Sequence, residues 1–162
     1  LGQSGRGMFS LRNPYLAYCG GALVFLALAV VLAGWQGAII YLGFAVIAQV
    51  QLLLSDYVQH YGLERQIVAQ NKFEPVSVRH SWNAPHLFSS ALMLHAPRHS
   101  DHHTNPSVPY EALQLFDANG APMLPRSVPA MSCLALWPRK WKQVMNPRVA
   151  RWVDCQTAAG AN

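Results

Sequence analysis

From Asn13 to Ser55 the chain carries no Asp, Glu, Lys, Arg or His. A helical span needs about 20 consecutive apolar residues, so this run is long enough to cross a bilayer twice. Two apolar runs, Tyr15 to Ala33 and Ala38 to Leu54, flank Gly34-Trp35-Gln36-Gly37. That tetrapeptide pairs turn-forming glycines with a tryptophan suited to the membrane–water interface. Backbone polar groups in lipid must be satisfied within their own segment, so the expectation is a two-helix transmembrane hairpin. A hydrophobic hairpin inside a soluble core is the alternative, and the uncharged length weighs against it. Arg6 and Arg12 precede the runs, Arg65, Lys72 and Arg79 follow them, and the turn holds no basic residue. The positive-inside tendency places both ends in the cytoplasm and the Trp35 turn outside.

Composition agrees with this division. The chain has 162 residues, of which 12% are charged, against about 25% in soluble domains. The deficit sits in the apolar run, whereas the remainder is polar and basic and holds every histidine. The net charge of +5 matches no nucleic-acid-binding module, so no nucleic-acid partner is expected. Basic residues beside membrane spans fix topology and meet anionic head groups. Cys19, Cys133 and Cys155 are odd in number and form no CxxC pair, which argues against a disulfide framework and a zinc site. The opening Leu1-Gly2-Gln3-Ser4-Gly5-Arg6-Gly7 lacks the parts of a signal peptide. A GxSxG elbow and a phosphate-binding glycine loop are also missing.

The fold class expected is an all-α membrane protein, with the hairpin followed by a cytoplasmic, helical, histidine-rich metal-binding region. Residues 1–13 read as a linker from an N-terminal part outside this sequence, 14–56 as the hairpin, 57–155 as the histidine-motif region and 156–162 as a tail. Within the third segment, Tyr57 to Arg65 continues the second helix and residues 69–79 connect. Leu87 to His103 reads as one further helix, with Pro97 as its irregular point. Val128 to Leu136 is apolar but too short to span. Trp137-Pro138-Arg139-Lys140-Trp141-Lys142 mixes aromatic and basic residues as an interfacial helix does.

All seven histidines fall between residues 60 and 103. On a helix His99 precedes His102 and His103 by three and four residues, so the rings can converge on one face. Imidazoles in such a cluster suit iron, zinc, copper or nickel. His60, at the end of the second apolar run, is placed to join them.

The residues around these histidines resemble a known family. Tyr57-Val58-Gln59-His60-Tyr61-Gly62-Leu63 is similar to the NYxEHYG signature of membrane alkane hydroxylases. Leu94-His95-Ala96-Pro97-Arg98-His99-Ser100-Asp101-His102-His103-Thr104-Asn105-Pro106 resembles the LQRHSDHHxxP block of the same family. His80-Ser81-Trp82-Asn83, Tyr110-Glu111-Ala112-Leu113, Met123-Leu124-Pro125 and Val144-Met145-Asn146-Pro147-Arg148-Val149 resemble further segments. The likeness runs from about Phe9 to Trp152. It implies membership of the alkane 1-monooxygenase group within the histidine-rich fatty-acid desaturase and hydroxylase superfamily.

The resemblance implies a bacterial inner-membrane oxygenase with two non-haem iron ions facing the cytoplasm. It implies medium-chain alkane and O2 as substrates, and rubredoxin as electron donor. By motif match it assigns His60, His99, His102 and His103 as iron ligands. The family's HExxH and EHxxGHH motifs have no counterpart in this sequence, so the remaining ligands are expected from segments preceding Leu1. Gln59 stands where the family has Glu, Asp56 where it has Asn, and Ala96-Pro97 where it has Leu-Gln. Carboxylates often orient metal-bound imidazoles, and Asp56, one helical turn before His60, can take that part. His95, one turn before His99, is a candidate for the outer shell. His80 and Trp82 either line the site or pack structurally, and His86 reads as structural. Asp101 is expected to point away from the metal and accept outer hydrogen bonds. Arg98 serves topology, fold or electron-donor docking. Rival readings are a related membrane desaturase, an aromatic-methyl hydroxylase, and a non-catalytic truncated remnant.

Overall fold

The computed structural model describes residues 13–69, 72–117 and 120–160, the last three as backbone only. The linker expected over residues 1–13 therefore lies outside the described residues except for Asn13, as do Ala161 and Asn162 of the expected tail. The chain divides into two compact units, Leu1–Val50 and Gln51–Asn162.

The first unit is helical. The helical stretch α1 covers Pro14–His60 and continues into the second unit. Asn13 opens it, its side-chain oxygen accepting from the Tyr15 N–H at 3.1 Å, with Pro14 in the first helical position, where a missing N–H costs nothing. The backbone leaves helical geometry at Ala33 (φ −140°, ψ 21°) and Gly34 (φ 61°, ψ −154°), and the positive φ suits glycine. The Tyr41 hydroxyl lies 3.5 Å from the Ala22 carbonyl oxygen. An unbroken helix would separate residues 19 apart by about 28 Å, so the break redirects the chain. The apolar side chains of this unit are open to the surroundings, Val31 at 80% and Leu32 at 76%. α1 is long and apolar enough to cross a membrane.

The second unit has a core of its own. Val58, Trp82, Leu124, Val128, Met131, Trp141 and Met145 are buried together. Trp141 packs its ring against Tyr57, tilted, and Tyr61, edge-on, with centroids 5.6 and 5.2 Å away, which fastens α5 (Pro138–Gly160) to the end of α1. Gly62 makes that approach possible. Its φ is +70°, and an added Cβ would sit 2.7 Å from a Val149 methyl carbon, so both backbone and packing require glycine.

Between these helices the sequence expectation needs correction in two places. A short antiparallel pair, β1 (Ile67–Ala69) and β2 (Lys72–Phe73), with Ile67 opposite Phe73, begins just before the expected connector 69–79 and runs into it. Their residues are β-branched or aromatic in part, but three- and two-residue strands carry no readable alternation. The single helix expected from Leu87 to His103 is two helices, α2 (Leu87–Leu92) and α3 (His99–Thr104). The break comes before Pro97, at Leu94 (φ 49°) and His95 (φ 56°), positions that L residues other than Asn and Asp seldom adopt. The short apolar segment at residue 128 forms α4 (Val128–Ala135), and α5 runs on through residue 160.

Candidate metal centre

His60 ends α1, and His99 and His103 sit one turn apart on α3. Their placement follows from residues that are not ligands. Ser100 and Asp101 are the buried residues of α3, so the helix turns this pair inward and leaves His99, His102 and His103 on its other side. Ser100 is fully buried. Its N–H donates to Asn83 Oδ1 at 3.0 Å, and its hydroxyl receives Asn83 Nδ2 at 2.7 Å and faces the Val78 and Ser81 carbonyls at 2.8 Å. Asp101 accepts from Asn105 Nδ2 and from the Gln114 N–H, both at 2.7 Å. Buried polar groups cost free energy unless bonded, and here the bonds also fix how α3 is rotated.

The end of α1 is tied to the same frame. Gln59 is buried; it receives the Ser55 hydroxyl at 2.9 Å and donates from Nε2 to the Ala96 carbonyl at 3.1 Å. Its backbone oxygen accepts from Trp82 N–H at 2.7 Å, and the Trp82 indole N–H donates to the Tyr61 carbonyl at 2.8 Å. An ionised carboxylate could not donate to the Ala96 carbonyl, so this link depends on the amide at position 59.

This frame brings three imidazoles together. The His60 and His103 Nε2 atoms are 3.2 Å apart, and those of His103 and His99 are 3.0 Å apart. One nitrogen from each of His60, His99 and His103 lies within 4.8 Å of the others. Two imidazole nitrogens bound at about 2.1 Å to one ion and near a right angle would be about 3 Å apart, so the donor set fits a metal ion. His60 Nδ1 contacts the Asp56 carbonyl at 3.0 Å and its carboxylate at 3.1 Å. That assigns the ring proton to Nδ1 and leaves the Nε2 lone pair facing the cluster. Burial pushes the His99 pKa down to about 3, helped by His103, His60 and His102, and burial with His60 and His102 also lowers that of His103. Both rings are thus neutral near pH 7, the form that binds metal.

The fourth sequence-assigned ligand stands apart. His102 lies outside the group of three, its ring centroid 5.7 Å from that of His103 and 6.3 Å from that of His99. It borders, with His99, a cavity of about 400 Å³ whose other walls include Leu52, Met93, Leu94, Val108 and Leu113. This volume lies in the range of small-molecule sites.

The remaining histidines have other partners. His95 Nδ1 lies 2.9 Å from the Tyr110 carbonyl oxygen, because the left-handed turn at Leu94 and His95 takes its ring off the α3 face. His80 is buried, with Nε2 3.0 Å from Glu74 Oε1 and Nδ1 accepting from Ser77 N–H. The Gln66 N–H on the same Glu74 carboxylate, with His80 as a further partner, holds its pKa below the usual range. His86 is exposed at the start of α2. Arg98 donates to the Leu113 carbonyl, which makes it a fastener of the loop after α3. Asn83, whose amide holds Ser100, carried no signal of its own beyond its place in His80-Ser81-Trp82-Asn83.

Residues 1–135 match the family described as fatty acid desaturase. The chain belongs to that family. Alkane 1-monooxygenase 2 of Alcanivorax borkumensis is 34% identical over 154 residues, 95% of this chain and 40% of its own length. Alkane 1-monooxygenase 2 of Pseudomonas aeruginosa is 36% identical, covering 85% of this chain and 36% of its own length. Alkane 1-monooxygenase of Acinetobacter baylyi is 33% identical, covering 92% and 36%. The chain therefore spans at most 40% of the length of these relatives. The long apolar helix and the desaturase family together fit a membrane protein, and the histidine cluster fits metal binding.

Proposed function

We propose that this chain is the C-terminal portion of a non-haem di-iron membrane monooxygenase that hydroxylates the terminal C–H bond of medium-chain alkanes. The overall change is R–CH3 + O2 + 2e⁻ + 2H⁺ → R–CH2OH + H2O, with rubredoxin as the source of electrons. The observation that carries the reading is the convergence of His60, His99 and His103 in a chain similar over most of its length to alkane 1-monooxygenases.

His60, His99, His102 and His103 are the proposed ligands. Two irons, when bound, would supply the O2 chemistry. The chain's own residues hold and orient: Asp56 fixes the His60 ring, Ser100 and Asp101 fix the rotation of α3, and Gln59 ties α1 to the turn before it. The apolar walls of the cavity beside His99 and His102 suit an alkyl chain. Four imidazoles are too few for two irons, so the remaining ligands come from protein outside these 162 residues. In membrane terms, α1 is proposed as a two-helix hairpin in the bacterial inner membrane, with the site on the cytoplasmic side. The Ala33–Gly34 break, the approach of Tyr41 to Ala22 and the flanking basic residues support that arrangement. Residues 1–13, 14–56, 57–155 and 156–162 are proposed as linker, hairpin, histidine-motif region and tail.

The test is product analysis with octane, O2 and reduced rubredoxin, using the full-length protein. Hydroxylation gives 1-octanol, desaturation leaves a double bond, and an alkene would overturn the proposal. Expressed by itself, the 162-residue chain is expected to insert into membrane and make no octanol. Sustained O2-dependent octanol from it would contradict the ligand count.

A further inference from the structure

Charge is unevenly distributed along the second unit. Six of the chain's seven acidic residues lie between Asp56 and Asp117, whereas no acid occurs between Asp117 and Asp154. That later stretch holds six cations: Arg126, Arg139, Lys140, Lys142, Arg148 and Arg151. Three of them, Arg126, Arg139 and Lys140, are exposed at or beside the corner between α4 and α5.

The same corner exposes large apolar groups. Trp137 and Leu136 are 60% and 58% exposed. The contrast with Trp141 is informative, since the residue one turn later is fully buried in the core. Trp137 stands just outside the first turn of α5, where its ring contributes little to the core. Arg126 and Lys140 face it across a shallow groove of about 380 Å³, with Cys133 and Leu134 between them. On the neighbouring side, Leu136 and Cys133 share a cavity of about 390 Å³ with Gln51 and Leu54, the last turns of the uncharged run that ends at Asp56. The corner thus sits beside the place where the chain leaves its apolar stretch.

A tryptophan and a leucine exposed beside cations, in a stretch of sequence from 118 to 153 that holds no acid, is the chemistry of a membrane–water interface. We infer that the α4–α5 corner is a seat for anionic phospholipid headgroups, with Trp137 and Leu136 entering the headgroup–acyl boundary and Arg126, Arg139 and Lys140 meeting the phosphates. The inference rests on the membrane-anchored reading of the apolar run and adds a second, charge-selective contact to it. A Lys or Arg near an anionic surface contributes enough to change occupancy roughly fivefold.

The native Cys133 reports on the seat, since it is exposed and lies in the groove. The full-length protein, with Cys133 as its one cysteine, is placed in nanodiscs of phosphatidylcholine alone or with phosphatidylglycerol. Its rate of reaction with an uncharged, bulky maleimide is then measured. Phosphatidylglycerol should slow the reaction roughly fivefold or more, and molar salt should reverse the slowing. The exposed-site double variant Arg126→Gln/Lys140→Gln should react at nearly the neutral-disc rate in both lipids. A companion protein with Cys155 alone, at the far end of α5, should show no lipid dependence. Equal rates at Cys133 in the two lipids, or equal slowing at Cys155, would overturn the seat while incorporation into discs leaves the anchor standing. Failure to incorporate into either disc would overturn the anchor and the seat with it.

Discussion

The two units solve the problem of apolar surface in opposite ways. Gln51–Asn162 buries Trp141, Met131, Met145 and Val58 completely and ties its loops with side-chain hydrogen bonds such as Asn83 to Ser100. The described part of the first unit leaves Val24, Phe25, Val31 and Leu32 open while its backbone from Pro14 onward is largely satisfied in helix. A region of the second kind is stable only if its surroundings are apolar, whereas the first kind tolerates water because its core is internal. The difference explains why the histidines sit where they do. Rigid placement of imidazoles needs buried polar frames such as Ser100 and Gln59, and those are found in the unit with a core.

Exchanging the chemistry of the two units breaks the comparison most sharply. Trp141→Ala is expected to destabilise the second unit by about 3–5 kcal/mol, measured by denaturant unfolding in mild detergent. Val24→Arg, at the middle of the first apolar run and 66% exposed, is expected to raise the insertion free energy by about 2.5–3.5 kcal/mol, read in a membrane-insertion assay. Val153→Arg, 48% exposed in the second unit, should stay within about 0.5 kcal/mol. If Val24→Arg were as silent as Val153→Arg, the first unit would be facing water.

A smaller effect probes the link between frame and site. Asp56→Ala is expected to weaken metal affinity about 10–100-fold, the usual cost of losing a partner behind an imidazole ligand. Asp56→Asn keeps a hydrogen-bond acceptor without the charge and should fall between that variant and the native protein in a competitive chelator titration. Equal affinity for all three would show that the backbone carbonyl of Asp56, also 3.0 Å from His60 Nδ1, orients the ring by itself.

The gentlest prediction concerns acidity. The His99 pKa is lowered from 6.5 to about 3, so below pH 6.5 the unfolded chain binds a proton that the folded one refuses. Stability of the metal-free protein is therefore full above about pH 6.5 and falls as pH drops toward 3; His103 acts in the same direction. Thermal unfolding of the apo protein between pH 7 and 5, above most carboxylate titration, should show a slope that His99→Ala reduces. An unchanged slope in that variant would place the proton linkage elsewhere.

Much of the site was legible in the sequence, for definite reasons. His99 and His103 are four apart and helical, so spacing alone brings them together, whereas His60 was readable chiefly through the resemblance of Tyr57-Val58-Gln59-His60-Tyr61-Gly62-Leu63 to a family signature. Asp101 pointing away from the histidines followed from the same periodicity. The separation of His102 from the group of three was not legible, since a three-residue spacing is also compatible with convergence, and α3 is only six residues long. The division of residues 87–103 into two helices escaped because it depends on left-handed backbone at Leu94 and His95, which neither residue type announces. The same turn takes the His95 ring, a candidate for the outer shell, to the Tyr110 carbonyl oxygen instead. The role of Gln59 was half visible: the sequence shows an amide at that position, but only the Ala96 carbonyl 3.1 Å away explains what the amide does.

Of the four proposed ligands His60, His99, His102 and His103, the converged set His60, His99 and His103 is tested most directly by iron content per chain. The full-length protein should be purified as His103→Ala, His99→Ala and His86→Ala beside the native form, with iron measured by elemental analysis and imidazole coordination by X-ray absorption. The two cluster variants are expected to lose iron and the imidazole signal, while His86→Ala keeps both. Native iron content and coordination in His99→Ala or His103→Ala would contradict the assignment.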